Sequence, residues 1–231
     1  MSNHVINKLT ITGDEDTIRD LLESIREDGE SLGTVDFNKI IPMSDSMNIE
    51  AGSDTDKGLK AYTDFMSVYT LAGTREDIDT SQIPKESEET FLNMRTDITP
   101  RQWELGKGAY ENQSKYGAPT WYEWSVNNWG TKWNAYNCIL CEASGKSAEL
   151  CFQTAWSAPH PILKQLSEQY PALEFSHVWA DEDIGQNCGR REYSGGCFTE
   201  EYYPEGDEAA AFACEAWGYE PEASEEFSQT M

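Results

Sequence analysis

The sequence predicts an α+β protein in which helices pack on an antiparallel sheet. Runs with the two-residue alternation of strands occur near the N-terminus and in the C-terminal half, and segments of helical periodicity lie between them. From residue 136 onward the segments follow in the order strand, strand, helix, strand, strand, helix. Of the 231 residues, 38% are hydrophobic and 12% aromatic, which is enough apolar surface for a folded core.

The first predicted elements are a strand, a helix and a second short strand. Residues 5–12 form the opening strand, and Gly13 with the acids after it starts a helix that runs to about Arg26. The apolar residues of this helix recur at spacings of three and four: Ile18, Leu21, Leu22 and Ile25. Residues 37–41, which Pro42 terminates, predict the second strand.

The middle of the chain predicts a loop followed by helices. Residues 44–58 are rich in Ser, Asp and Gly and predict the loop. Helices are predicted over residues 59–71, 86–94, 101–116 and 121–126, although Gly106 and Gly108 disfavour the third. Because aromatic residues are dense here, we expect Trp129, Trp133 and Trp156 to be mostly buried, with a cost of roughly 3–5 kcal/mol for Trp133→Ala.

The C-terminal half predicts a hairpin and then a mixed succession of elements. Residues 136–142 and 149–156 form the hairpin, and a helix over residues 162–170 stops at Pro171. Three more elements are predicted after it: a strand over 173–180, a further strand over 188–198 and a helix over 207–217. We therefore divide the chain into an acidic α+β N-terminal region, residues 1–119, and a second domain, residues 120–231, with an acidic C-terminal lobe.

Several segments resemble a family of proteins carried by phages and plasmids. They are Asn38 to Met43, Asn127 to Asn134, Phe152 to Pro159, the Tyr170-Pro171 pair and the strand and turn from Glu174 to Gly185. On these residues the chain resembles the YubB-like family, whose C-terminal part is ferredoxin-like. The resemblance implies a ferredoxin-like C-terminal half and an origin in a mobile element. It implies no iron–sulfur cluster and supplies no catalytic residue.

The charge of the chain is strongly negative and unevenly distributed. There are 42 acids and 17 bases, a formal net charge of −25, with fourteen of the acids and two of the bases in residues 181–231. Such a field repels nucleic acid and anionic membranes and favours a partner with a basic surface. General solubility and adaptation to salt are the open alternatives. The chain has no apolar run long enough to span a membrane and no secretory type of start, so we expect a cytoplasmic protein with reduced cysteines.

No catalytic residue, cofactor or metal site is predicted. Cys138 and Cys141 have the spacing of a redox or metal pair, but both lie within a predicted strand, where residues three apart point to opposite faces. A zinc site that uses Cys188, Cys197 and other thiols stays an alternative. Neighbouring acids such as Asp181 and Asp183 are expected from composition alone, and no histidine has the spacing of a nucleophilic triad.

The sequence therefore predicts a non-enzymatic accessory protein of a mobile element that binds a host protein through acidic surfaces. The sharpest form of this hypothesis is a nucleic-acid-mimicking inhibitor of a host defence system, of the anti-CRISPR or anti-restriction type. The predicted partner-binding residues are Glu200, Glu201, Tyr202, Tyr203, Glu205, Asp207 and Glu208. Two alternatives stay open: these acids merely favour the start of the following helix, or the chain is an enzyme with a carboxylate-based site.

Overall fold

The computed structural model describes residues 3–73 and 80–219, and the chain divides into two compact units. Unit 1 comprises Met1–Pro42 and Asn128–Met231, and unit 2 comprises Met43–Asn127. This division differs from the predicted one between residues 119 and 120. The reason is that the first strand is hydrogen-bonded between two strands of the C-terminal half, so the N-terminal residues fold together with that half.

Unit 1 is built on a six-stranded antiparallel sheet. The strands are β1 (His4–Thr12), β2 (Tyr136–Ser144), β3 (Ser147–Ala155), β4 (Glu174–Asp181), β5 (Gly189–Ser194) and β6 (Cys197–Tyr202). Their order across the sheet is β2-β3-β1-β4-β5-β6, so β2 and β6 are the edge strands. Alternate residues of β1 are buried, as the two-residue period of a strand predicts.

The helices of unit 1 cover both faces of the sheet. They are α1 (Glu15–Ile25), α6 (His160–Gln169) and α7 (Asp207–Trp217). His160 of α6 packs against Trp179 of β4, and Tyr170, just after α6, hydrogen-bonds Ser24 of α1. Helix α7 packs its alanines against Ala180 and Ile6, which point to the opposite face.

The order of elements from β1 to β4 within unit 1 is β-α-β-β-α-β, with unit 2 inserted in the sequence between α1 and β2. This is the ferredoxin-like succession, and β5, β6 and α7 extend it. The prediction of an antiparallel sheet with packed helices is confirmed.

Two predicted strands have a different structure. Residues 37–41 contain a short 3-10 helix, Phe37–Lys39, because the Asp36 side chain caps it and the Phe37 ring is buried against Trp129 and Phe152. The single strand predicted over residues 188–198 is the hairpin β5–β6. Two consecutive glycines, Gly195 and Gly196, have φ of 57° and 81° and turn the chain there, in the left-handed region that glycine tolerates.

The tryptophan prediction is correct for one residue of three. Trp129 is only 4% exposed, whereas Trp133 and Trp156 are each 40% exposed. Both exposed rings flank the Lys132 ammonium, whose Nζ lies 4.8 Å from the Trp133 ring centroid and 4.6 Å from that of Trp156. These two rings therefore form a surface cation–π arrangement rather than part of the core.

Unit 2 is mainly helical. Its elements are α2 (Ser53–Gly73), α3 (Lys85–Asn93), α4 (Pro100–Tyr116) and the greater part of α5 (Trp121–Trp129), with short 3-10 helices at Asp45–Met47 and Thr80–Gln82. The core of this unit is a cluster of aromatic and aliphatic residues: Ala61, Tyr62, Phe65, Met66, Ile83, Ile98 and Trp103. No helix in the two described ranges is both long and apolar enough to cross a membrane.

Helix α4 shows why two glycines occur inside a helix. A Cβ placed on Gly106 would lie 2.0 Å from the carbonyl carbon of Gly58 in α2, so the two helix backbones touch at this point. A Cβ on Gly108 would meet only the Cδ1 of Ile49, at 2.9 Å. The helix itself is well terminated, since Thr99 and Gln102 form a capping box and Gly117 ends it with φ of 74°.

Candidate functional site

The seven predicted partner-binding residues lie along and after the edge strand β6. Glu200, Glu201 and Tyr202 belong to the strand, Tyr203 and Glu205 to the loop that follows it, and Asp207 and Glu208 to the first turn of α7. All six residues of β6 are exposed, and among the described strands it pairs with β5 alone. The predicted residues therefore lie at the edge of the sheet that the described residues form.

The alternation of side chains places the seven residues on two faces. Glu201 lies opposite Arg191 of β5, with 3.3 Å between the Arg191 Nη2 and a Glu201 carboxylate oxygen, and Arg191 also donates a hydrogen bond to the Tyr203 hydroxyl. Tyr202 points to the face of α7, where its hydroxyl donates to Glu208. The charges of Glu201 and Glu208 are thus partly satisfied within the chain.

Three acids of the predicted group have no side-chain partner within residues 3–73 and 80–219: Glu200, Glu205 and Asp207. Asp207 also suits the start of α7, because the N-cap residue is Gly206 and supplies no side-chain cap. The acids lie beside exposed aromatic rings, and the sequence analysis missed one of them, Phe198, which is 54% exposed. We call the exposed set the β6 edge surface: Phe198, Glu200, Tyr202, Tyr203, Glu205 and Asp207.

Buried polar groups lie between the centre of the sheet and this edge in two hydrogen-bonded sets, which only ring packing connects, since the His160 and His177 ring centroids are 5.8 Å apart. Asn7 Nδ2 donates to the Thr154 hydroxyl at 2.9 Å and to the carbonyl oxygen of Val5 at 3.0 Å. The Asn7 Oδ1 must therefore accept the hydrogen bond from His177 Nε2, at 3.0 Å. This arrangement fixes the tautomer of His177 and leaves its Nδ1 as a buried acceptor with no partner in the described residues.

A second buried pair lies nearer this edge. The Tyr193 hydroxyl and the Nδ1 of His160 are at hydrogen-bonding distance, 2.8 Å apart. Arg191 donates a hydrogen bond to the Tyr203 hydroxyl, and its Nε is buried with no hydrogen-bond partner among the described residues. The Arg191 guanidinium also lies over the Phe198 and Tyr203 rings. Tyr203 and Phe198 thus hold the arginine behind the β6 edge surface.

Burial moves the titration of these polar groups away from neutral pH. Burial and the charge of Arg191 lower the pKa of His160 to about 4, and burial lowers the pKa of His177 well below its ordinary value. Burial raises the pKa of Tyr193 to about 12. All three groups are therefore neutral at pH 7.

The carboxylate pair considered in the sequence has a structural role. Asp181 is buried, and its Oδ1 accepts hydrogen bonds from the Asp183 backbone at 2.9 Å and from the Asn3 amide at 3.1 Å. Within residues 3–73 and 80–219, one group of three side chains could hold a metal ion: Cys141, Glu149 and Cys151. The thiol next to Cys141 is therefore that of Cys151 on the facing strand of the hairpin, and not that of Cys138.

Unit 2 has an open groove of about 430 Å³ between α2 and α3. Its lining is largely apolar and includes Phe65, Phe91 and Met94, with Glu86 as the one carboxylate. The hydroxyl groups in the lining belong to Tyr69, Ser87 and Thr90.

The fold and the exposed edge define an α+β protein with a ferredoxin-like domain and an acidic, aromatic sheet edge. Residues 128–231 match the family model described as the ferredoxin-like domain in Api92-like protein, which confirms the fold expected for the C-terminal half. A crystal structure of the Api92 protein from Yersinia pseudotuberculosis is similar at 12% identity and a TM-score of 0.47, over 89% of this chain and 99% of that one. No curated protein sequence matches the chain.

Proposed function

We propose that this chain is a non-enzymatic binding protein that engages a basic surface of another protein through the β6 edge surface. The observation that carries the proposal is the position of β6. It is the last strand of the sheet and all of its residues are exposed. Along the strand and the loop after it, the acids Glu200, Glu205 and Asp207, which have no side-chain partner among the described residues, lie near exposed aromatic rings.

The physical chemistry of an edge strand suits this role. The outer backbone groups of β6 have no strand partner among the described residues and are available to pair with an added strand. Tyrosine and phenylalanine supply large contact areas at low entropic cost and are frequent anchors of interfaces. The acids Glu200, Glu205 and Asp207 raise the rate of encounter with a cationic partner.

The proposal extends to the biological setting. It takes the chain to be a cytoplasmic accessory protein of a phage or plasmid, related to the YubB-like family, and its partner to be a host protein. A groove that normally holds DNA or RNA, as in an enzyme of host defence, presents the basic surface that this charge complements. The net charge of −25 and the resemblance of the sequence support this form, and the same charge disfavours direct binding to nucleic acid or membrane.

Comparative capture from a bacterial lysate tests the proposal. Three immobilised forms are compared: the unaltered chain, a variant with Glu200→Gln, Glu205→Gln and Asp207→Asn, and a control with Asp20→Asn, Glu23→Gln and Glu27→Gln. The control removes the same number of charges from exposed positions on and just after α1. We expect a cationic protein that the unaltered chain and the control retain and the β6 variant loses.

Two results would contradict the proposal. Equal retention by all three forms would show that the β6 edge surface does not contact the partner. Equal loss from both variants would show that only the total charge matters. A partner retained as expected is then tested for displacement of its nucleic acid by the chain, which decides whether the nucleic-acid-mimicking form holds.

A further inference from the structure

Three potential metal ligands converge on the hairpin formed by β2 and β3, at the edge of the sheet opposite β6. The Sγ atoms of Cys141 and Cys151 and a carboxylate oxygen of Glu149 lie within 4.8 Å of one another. The two sulfurs are 2.8 Å apart, and the Cys151 Sγ lies 3.9 Å from the Glu149 Oε1. These side chains come from two neighbouring strands, and the β6 edge surface lies at the other end of the strand order.

The strand register places the three ligands on one face of the hairpin. Residues 149 and 151 are two apart on β3 and share a face, while Leu150 between them is buried on the other face. On β2, Ile139 pairs with Cys151 and is exposed, so Cys141, two residues further along, lies on the same outer face. Cys141 is also the extra residue of a β-bulge, because Leu140 pairs with Leu150 and Glu142 pairs with Glu149. Cys141 is exposed on this face and the other two ligands are partly exposed.

The donor set defines the class of ion. Two thiolates and one carboxylate suit a borderline-soft divalent cation such as Zn²⁺, which binds sulfur at about 2.3 Å and carboxylate oxygen at about 2.0–2.2 Å. In a tetrahedral site two such sulfurs lie about 3.8 Å apart. The sulfurs must therefore separate by about 1 Å, which the exposed Cys141 can achieve by rotation about its side-chain bond.

The charge around the hairpin also fits a bound cation. Three anionic ligands would leave a zinc site with one excess negative charge, and Lys8 lies directly opposite Cys151 on β1.

We propose that Cys141, Glu149 and Cys151 form a binding site for Zn²⁺ or a similar thiophilic divalent cation. Three protein ligands leave a fourth coordination position open on the exposed face of the hairpin. The site stands independently of the proposed partner binding, because it lies at the other edge of the sheet.

Metal titration of the full chain, kept fully reduced, tests this proposal. Zn²⁺ affinity is measured by competition with a chromophoric chelator, and Co²⁺ is added separately to detect thiolate-to-metal charge-transfer absorption. We expect one equivalent of metal. Cys141→Ser and Cys151→Ser should each weaken binding by about 100-fold or more, and Glu149→Gln by about 10-fold. Cys197→Ser, which removes an exposed thiol from β6, is the matched control and should leave binding unchanged.

The contrary outcomes are equally clear. The proposal fails if the reduced chain binds Zn²⁺ no more tightly than a variant with both Cys141→Ser and Cys151→Ser. It fails if Cys197→Ser weakens binding as much as the ligand substitutions do. It also fails if two thiols disappear by oxidation to a Cys141–Cys151 disulfide while the reduced chain retains no metal. Circular dichroism of each variant ensures that a lost site is not a lost fold.

Discussion

Replacement of Trp129 by alanine should destabilise unit 1 far more than the same replacement of Trp133. Trp129 is 4% exposed, its ring packs edge-on against Phe37 at 5.8 Å, and its Nε1 donates a hydrogen bond to the Ile41 carbonyl at 2.9 Å. Truncation therefore leaves an enclosed cavity and a carbonyl without its donor. We expect a loss of about 3–5 kcal/mol from the cavity, and the unpaired carbonyl adds about 1 kcal/mol or more.

The same replacement of Trp133 should reduce the free energy of unfolding much less. Its ring is 40% exposed, so truncation opens no enclosed cavity. Its clearest specific interaction is with the Lys132 ammonium at 4.8 Å, and such a contact at an exposed site is worth about 0.5–1 kcal/mol. We expect Trp133→Ala to cost less than about 2 kcal/mol, which replaces the larger value predicted from the sequence.

Urea unfolding followed by far-UV circular dichroism measures both losses. The free energy of unfolding and its dependence on urea are fitted for each variant, and only variants with an unchanged dependence are compared. Trp129→Phe serves as the control, since it keeps an aromatic ring but removes the hydrogen bond to Ile41, and should fall between the other two. Equal losses for Trp129→Ala and Trp133→Ala would refute the assignment of one ring to the core and the other to the surface.

Two further predictions concern a helix contact and a buried histidine. Gly106→Ala should destabilise unit 2 by about 1–3 kcal/mol, because the added Cβ would collide with the Gly58 backbone. Gly108→Ala should change the stability by less than about 1 kcal/mol. Comparable losses for the two variants in urea unfolding would contradict this prediction. Stability should also fall as the pH drops from about 6.5 toward 4, since the pKa of His160 is lowered to about 4 and the unfolded chain takes up this proton first. The full effect, about 3 kcal/mol, is reached below pH 4, and His160→Gln should remove that part of the pH dependence; an unchanged slope in the variant would contradict it.

Elements with strong local signals were predictable from the sequence. The apolar periodicity of α1, the proline at the start of α4 and the Ala-rich stretch of α7 all agree with the structure. The hairpin β2–β3 and the alternation of Phe175 and His177 in β4 were predictable for the same reason. In each case the residues that decide the structure are neighbours in the sequence.

Features that depend on distant residues were not predictable. The segment around Phe37 has the composition of a strand but contains a 3-10 helix. The Phe37 ring packs against Trp129 and Phe152, which lie about a hundred residues away in the sequence. The burial of Trp129 and the exposure of Trp133 depend on what packs over each ring, which periodicity does not reveal.

The candidate sites show the same limit. The acids in and after β6 were found from the composition of the sequence. The pairing of Glu201 with Arg191 could not be predicted without the register of β5 and β6. The contacts of His177 and His160 needed the order of the strands, and the approach of Cys141 to Cys151 needed the register of β2 and β3. Spacing along the chain singles out the pair Cys138 and Cys141, which strand alternation rules out as common ligands, and it does not reveal a neighbour on the facing strand.

The central claim is that the β6 edge surface binds a basic partner. Association rates of the captured partner with the unaltered chain, the β6 variant and the α1 control, measured at low and physiological ionic strength, test it most directly. We expect the β6 variant to associate about 3- to 10-fold more slowly at low salt and to show a weaker salt dependence, since exposed charges are screened beyond about 8 Å at physiological ionic strength. The control should match the unaltered chain. An unchanged association rate and salt dependence in the β6 variant would contradict the claim and leave the acidity as a contribution to solubility.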